Sequence, residues 1–171
     1  MKNIFDSINT ARLLEGLSKE HISELLDLKK YGIKDYSKGQ IIHNEGECCH
    51  SIDLILEGKI SVQKIDEDGN TMIISSFNTG ESVGANLVFS KRNNYPFHVV
   101  AASRTTILHL SKRIILELCK NNQAFMINLL ESISDRSLTL TDKINTIALK
   151  TLRQKISDFL ELESINQSSD I

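Results

Sequence analysis

The chain has 171 residues and a formal net charge of −2, with 20 lysines and arginines against 22 aspartates and glutamates. This balance excludes a segment that holds nucleic acid by charge alone, because such segments carry an excess of basic residues. We expect neither a membrane span nor a signal peptide, since no run of about 18 apolar residues occurs and the N-terminus has no apolar core. Three cysteines, two of them adjacent, do not form a disulfide framework. The composition predicts a soluble, cytoplasmic, globular protein.

The stretch from Asn9 to Lys30 has apolar residues at helical spacing. They are Leu13, Leu14, Leu17, Ile22, Leu25, Leu26 and Leu28. Ser18 is a suitable N-cap and Gly32 a suitable stop, so the pattern predicts one or two short N-terminal helices.

From Ile33 to Ser111 the pattern changes to short strands separated by glycines. The expected strands are Ile41–Ile42, Ser51–Leu56, Lys59–Ile65, Thr71–Phe77, Phe97–Ala102 and Thr105–Leu110. The acidic segment Asp66–Asn70 is typical of a hairpin loop between two of them. Six of the eight glycines lie in this region, where strand corners call for positive φ. The spacing predicts an α+β chain built on a closed, jelly-roll-like β-roll.

After Ser111 the helical period returns and becomes a heptad seam. At alternating steps of four and three residues stand Met126, Leu130, Ile133, Ser137, Leu140, Ile144, Ile147 and Thr151. The seam predicts a helix from about Asn122 to Lys150, and a homodimer through it, because such a seam is costly to leave in water. A second apolar line (Ile127, Leu138, Leu149) could face the roll.

Beyond Lys150, the segment Leu152–Leu162 has the stripe of another amphipathic helix, and Ser164–Ile171 is polar. This pattern predicts the first element of a further domain. We therefore expect an effector-sensing domain over residues 1–120, a dimerisation helix over 121–150, and a hinge with a first further helix over 151–171.

Three segments of the roll carry a resemblance to a known family: Ser51–Gln63, the hairpin Asp66–Asn70 and the turn Phe77–Gly84. With the long helix, they resemble the cyclic-nucleotide-binding β-roll of the CRP/FNR transcription regulators. The resemblance implies a roll with N-terminal helices and a dimerisation helix, followed in the family by a helix-turn-helix DNA-binding domain that lies beyond this chain. It implies a homodimer that meets DNA and RNA polymerase only as the full-length protein, with no membrane contact.

The ligand site implied by the resemblance departs from that of the nucleotide binders. Where they carry a glutamate for the ribose, this chain has Ala85. Their arginine and hydroxyl pair for the phosphate falls at Tyr95 and Pro96, and their adenine-contacting pair falls at Leu140 and Thr141. We therefore expect neither cyclic AMP nor cyclic GMP to be the effector.

The same resemblance gives the effector-binding candidates, which are Gly84, Ala85, Asn86, Leu87, Pro96, Phe97, Arg136, Leu140 and Thr141. Such a lining suits a small, partly apolar molecule, with Arg136 available for an anionic group. The alternative is that these side chains fill the roll and no ligand binds.

Metal binding, thiol redox chemistry and catalysis have weaker support in the sequence. No H-x-H pair occurs, and His43 with Glu45 is the nearest approach to a metal-binding barrel motif, so we predict no metal site. Cys48 and Cys49 fit small residues at a corner, with a thiol switch as the alternative. No nucleophile elbow or P-loop is present, and we predict neither an enzyme nor a resident cofactor.

Two functions follow. The first is the sensor and dimerisation region of a CRP/FNR-type regulator that responds to a small-molecule effector. The alternative is a stand-alone, cyclic-nucleotide-binding-like sensory module that docks a protein partner through Leu152–Leu162.

Overall fold

The structure is a computed structural model that describes residues 11–18, 32–66 and 69–167, with side chains as far as residue 145. A 3₁₀ turn at Arg12–Leu14 comes first. The elements that follow are β1 (Gly32–Tyr36), β2 (Ile41–His43), β3 (Ser51–Glu57), β4 (Lys59–Ile65), β5 (Thr71–Asn78), β6 (Ser82–Val83), β7 (His98–Ala101), β8 (Thr105–Ser111), α1 (Lys112–Asn121) and α2 (Gln123–Gln167).

Within the described residues, the strands form two antiparallel sheets of four strands each. Their orders are β1-β8-β3-β6 and β2-β7-β4-β5, so the chain changes sheet repeatedly as it proceeds. This crossing pattern is that of a β-roll, and the predicted α+β fold is confirmed. All six predicted strands are present with small shifts at their ends.

Two strands of the structure, β1 and β6, were not predicted from the sequence. Gly32, expected to end a helix, instead opens β1, which pairs with β8 from Gly32↔His109 to Tyr36↔Thr105. β1 is an edge strand whose exposed Lys34 and Asp35 hide the strand pattern, as charged residues on edges commonly do. β6 has only two residues. Most of the predicted N-terminal helices lie outside the described residues.

The core centres on β3, where the five consecutive residues from Ile52 to Leu56 are all buried. A strand buried on both faces has a near-continuous apolar run rather than alternation, and Asp53 is the single exception in this one. The turn after β3 requires glycine, because Gly58 has φ +94° and a Cβ there would collide with the Arg104 carbonyl and with Thr105.

The beginning of α2 belongs to the same compact unit as the roll, which covers Met1–Ser132. The Asn122 side-chain oxygen accepts a hydrogen bond from the Phe125 N–H at 3.0 Å and so caps the helix. Phe125 and Leu129 are buried, whereas Ile127, expected to face the roll, is exposed. The Asn128 side chain donates to the Glu15 carbonyl at 2.8 Å, which fixes the N-terminal turn to α2.

The second compact unit, Ile133–Ile171, contains the rest of α2. The helix was expected to end near Lys150, but it continues to Gln167, since no glycine or proline interrupts residues 123–167. Leu138, Leu140 and Ile144 are each more than half exposed along it. No helix in the described ranges is long and apolar enough to cross a membrane.

Candidate functional site

The turn after β6 holds the first group of effector-binding candidates. Gly84 has φ +93°, and a Cβ there would lie 2.7 Å from the Ser51 carbonyl oxygen. The Leu87 and Val88 N–H groups both donate to the Gly84 carbonyl at 2.9 Å. The segment after Gly84 is therefore a single turn of backbone, and these two amides already have partners.

The position that the resemblance assigns to the phosphate arginine holds Tyr95. Its side chain is buried, and its ring stacks on His43 with centroids 4.3 Å apart and planes 11° from parallel. The hydroxyl has no nitrogen or oxygen partner among the residues that the structure describes. Burial raises the pKa of Tyr95, so the side chain is a neutral phenol at this corner of the roll.

A polar cluster lies beside Tyr95, and its centre is Asp53. The Asp53 carboxylate is 1% exposed. Its Oδ2 lies 2.5 Å from His43 Nε2, and its Oδ1 lies 2.6 Å from His109 Nδ1. Because His43 belongs to β2 and the other two residues to β3 and β8, the cluster joins the two sheets.

Each member of the cluster has a further partner. The Ser51 hydroxyl donates to Asp53 Oδ1 at 2.7 Å. His43 Nδ1 lies 3.2 Å from a Glu47 carboxylate oxygen, and His109 Nε2 lies 2.9 Å from the Tyr36 hydroxyl. The ring nitrogens that face away from Asp53 are thus also engaged.

The charges in the cluster stabilise one another. Burial alone would raise the pKa of Asp53, but hydrogen bonds with His109 and His43 outweigh it and lower that pKa to about 2. Burial opposes the charged form of His43, yet Asp53 and then Glu47 raise its pKa overall. The pKa of Glu47 is lowered, first by the Asn44 backbone N–H. Asp53 is therefore an ionised, buried carboxylate.

Comparison with known proteins assigns the roll to a family. The model of the family described as "Cyclic nucleotide-binding domain" matches residues 33–122, which is more than half of the chain. The chain belongs to this family. The resemblance seen in the sequence is thereby confirmed.

Several proteins that this chain resembles are transcription regulators. The cAMP-activated global transcriptional regulator CRP of Salmonella typhimurium is 24% identical over 124 residues, which cover 72% of this chain and 59% of that protein. The Thermus thermophilus catabolite activator protein has the same fold, with TM-score 0.67 and 19% identity over 81% of this chain and 63% of its own. The sensor domain of the regulator DNR from Pseudomonas aeruginosa gives TM-score 0.65 and 20% identity, over 80% and 90%. The chain thus spans about 59% of the length of its curated relatives.

Within this cyclic nucleotide-binding domain, the effector-binding candidates on the roll differ in their exposure to solvent. Ala85 is buried, Leu87 and Phe97 are half-buried, and Asn86 and Pro96 are exposed. The turn therefore presents a mixed apolar and amide surface without an acidic or basic side chain of its own.

The other candidates belong to the second compact unit. On α2, Arg136 is half-buried, Leu140 is exposed, and the Thr141 hydroxyl donates to the Ser137 carbonyl at 3.0 Å. All of these assignments remain predictions.

Of the two adjacent cysteines, Cys49 fits a structural role. Cys49 is buried, its thiol donates to the Ser51 carbonyl at 3.2 Å, and burial raises its pKa. A redox-active cysteine needs a lowered pKa and access to solvent. Cys49 has neither, while the neighbouring Cys48 is exposed.

Sequence analysis missed the Asp53 cluster. His43 was considered only with Glu45, whose backbone N–H in the structure donates to His98 Nδ1 at 3.3 Å. The available signal was Asp53 itself, a charged residue in the middle of an apolar strand. Such a residue is rarely buried without a partner.

Proposed function

We propose that this chain is the sensor and dimerisation region of a CRP/FNR-type transcription regulator whose effector is a small molecule other than cyclic AMP. The full-length protein would act on DNA in the cytoplasm, through a domain beyond this chain and together with RNA polymerase. The likeness to CRP and to the DNR sensor domain supports the class of protein. This likeness does not identify the effector, which depends on the side chains of the site.

The observation that carries the effector proposal is the buried phenol of Tyr95. A cyclic nucleotide brings a phosphate anion, which a buried site holds by pairing it with a cation. Tyr95 offers none, and the turn at 84–89 offers only neutral side chains. Loss of such a charge contact costs a ligand on the order of 2–5 kcal/mol.

The ribose contact is missing as well. Ala85 stands where the nucleotide binders carry a glutamate, and its methyl group is buried. A buried methyl group cannot accept a hydrogen bond from a hydroxyl. An effector that fits Ala85, Leu87 and Phe97 is therefore smaller and less polar than a nucleotide.

The test is calorimetric titration of the 171-residue chain with cyclic AMP and, separately, cyclic GMP. The matched positive control is the Salmonella typhimurium CRP, which is named as cAMP-activated. We expect saturable heat from CRP with cyclic AMP and none from this chain with either nucleotide. Micromolar binding of either nucleotide to this chain would contradict the proposal.

A further inference from the structure

The three side chains at the centre of the polar cluster form a donor set that the effector proposal does not use. They are His43, Asp53 and His109, and their ligand atoms all lie within 4.8 Å of one another. Two imidazole nitrogens and a carboxylate therefore lie close together where the two sheets meet, with each imidazole against a different oxygen of Asp53. Against the prediction from the sequence that there is no metal site, we propose that these three residues bind a divalent first-row transition metal ion, of the class to which Zn²⁺ belongs.

The contacts around the donors favour a metal site over a chance meeting of polar groups. A histidine that binds a metal commonly has its other ring nitrogen held by a carboxylate or another polar group, which fixes the ring. Glu47 holds the outer nitrogen of His43, and the Tyr36 hydroxyl holds that of His109. Tyr95 also stacks on the His43 ring. Both inner nitrogens consequently point at Asp53.

The charge and the type of donor select the ion. The Asp53 carboxylate is buried, and a divalent cation beside it would supply opposite charge in place of the protons now shared with the two imidazoles. Nitrogen donors suit Zn²⁺, Co²⁺, Ni²⁺ and Fe²⁺, whereas Mg²⁺ and Ca²⁺ prefer oxygen donors throughout. The histidine side chains are 13% and 19% exposed, which leaves the cluster a route from solvent.

Metal binding requires only a small rearrangement. Asp53 now lies 2.5 Å and 2.6 Å from the two imidazole nitrogens, with protons between them. Ligands of one tetrahedral ion are about 3.4 Å apart, so the ion would replace these protons and move the rings slightly outward. Three protein ligands leave at least one position for water. Because β2 belongs to one sheet and β3 and β8 to the other, the ion would tie the two sheets together.

The experiment uses the full chain, freed of metal with a chelator that is then removed. Calorimetry with Zn²⁺ at neutral pH should show one equivalent bound and a raised thermal midpoint, while Mg²⁺ and Ca²⁺ should show neither. The His109→Gln variant should lose the saturable binding, and His50→Gln, which changes an exposed histidine outside the cluster, should keep it. Tyr36→Phe removes only the outer contact and should weaken binding about tenfold.

Two further measurements keep the test decisive. Cys48→Ser should leave Zn²⁺ binding unchanged, which separates the cluster from the exposed thiol. If His109→Gln does not fold, histidine ring resonances of the unsubstituted chain decide instead: Zn²⁺ should shift His43 and His109 and leave His50 and His98 in place. The absence of saturable Zn²⁺ binding to the unsubstituted chain, or its persistence in folded His109→Gln, would overturn the proposal.

Discussion

Asp53 and His109 lie directly opposite each other on paired strands, with the carboxylate Oδ1 2.6 Å from the imidazole Nδ1. Cross-strand neighbours on one face of a sheet interact directly. In this pair the Asp53 side chain is almost completely buried, and the His109 side chain is 19% exposed. The same carboxylate reaches His43 on the other sheet. One charged side chain thus couples the two halves of the roll.

The first prediction concerns the stability that Asp53 contributes. In the metal-free protein, Asp53→Ala should lower the free energy of unfolding by about 3–5 kcal/mol, because it leaves two partly buried imidazoles without their acceptor. Ser51→Ala removes one hydrogen bond to the same carboxylate and should cost about 1 kcal/mol. Urea denaturation of both variants measures the difference, and equal losses would contradict the central role of Asp53.

The second prediction concerns the pH dependence of that stability. The folded pKa of Asp53, about 2, is below its ordinary 3.8, so its contribution is present above pH 3.8 and is lost as the pH falls toward 2. The folded pKa of His43 is above its ordinary 6.5, so its contribution is present below 6.5 and is lost as the pH rises through the folded value.

Taken together, the two shifts place the largest contribution of the cluster in metal-free protein between about pH 4 and pH 6.5. Urea midpoints measured across this range in the presence of a chelator would show it. Asp53→Asn should flatten the profile, since it removes the Asp53 titration and leaves only Glu47 to raise the pKa of His43. A profile identical in the original chain and in Asp53→Asn would refute the assignment.

The sequence was sufficient to predict the roll but not this cluster. Strand positions depend on local alternation and on corner glycines, both of which are visible in a short window. The cluster depends on pairing between strands: His43 is 10 residues from Asp53, and His109 is 56 residues away. No fixed spacing in a motif links them, and only the sheet order brings them together.

The long helix α2 differs from the cluster, because local sequence does predict it. The heptad seam predicted a long helix, and α2 is even longer than expected. The expected end at Lys150 came from the end of the heptad seam, not from any helix-breaking residue in the chain. Local sequence therefore predicted the helix but not where it ends.

The third prediction concerns the seam on α2. Ile144 is 66% exposed in the single chain, so Ile144→Glu should weaken a homodimer by about 100-fold if a second copy covers it. Thr139→Glu adds the same charge at an exposed position off the seam and should have little effect. Ser137→Leu should tighten the dimer. Sedimentation equilibrium gives the dimer dissociation constants of the original chain and of the three variants. If the original chain is monomeric, the dimer hypothesis is wrong.

The fourth prediction concerns the strand corners. Gly58 and Gly39 both have positive φ, but a Cβ at Gly58 would strike the Arg104 carbonyl, whereas one at Gly39 would meet nothing within 4 Å. Gly39→Ala should cost about 1–2 kcal/mol from backbone strain alone. Gly58→Ala should cost clearly more, since overpacking adds about 1–3 kcal/mol. Thermal unfolding of the two variants compares them, and equal losses would show that the corner at Gly58 can relax.

The most direct test of the proposed function is whether the native gene product occupies specific DNA. An antibody raised against this chain would be used to recover crosslinked chromatin from the cells that make the protein, followed by sequencing of the recovered DNA. We expect the recovered DNA to be enriched at a limited set of promoters that share a two-fold symmetric sequence. Efficient recovery of the protein with no enriched DNA site would contradict the proposed function and would favour a sensory module that acts through a protein partner.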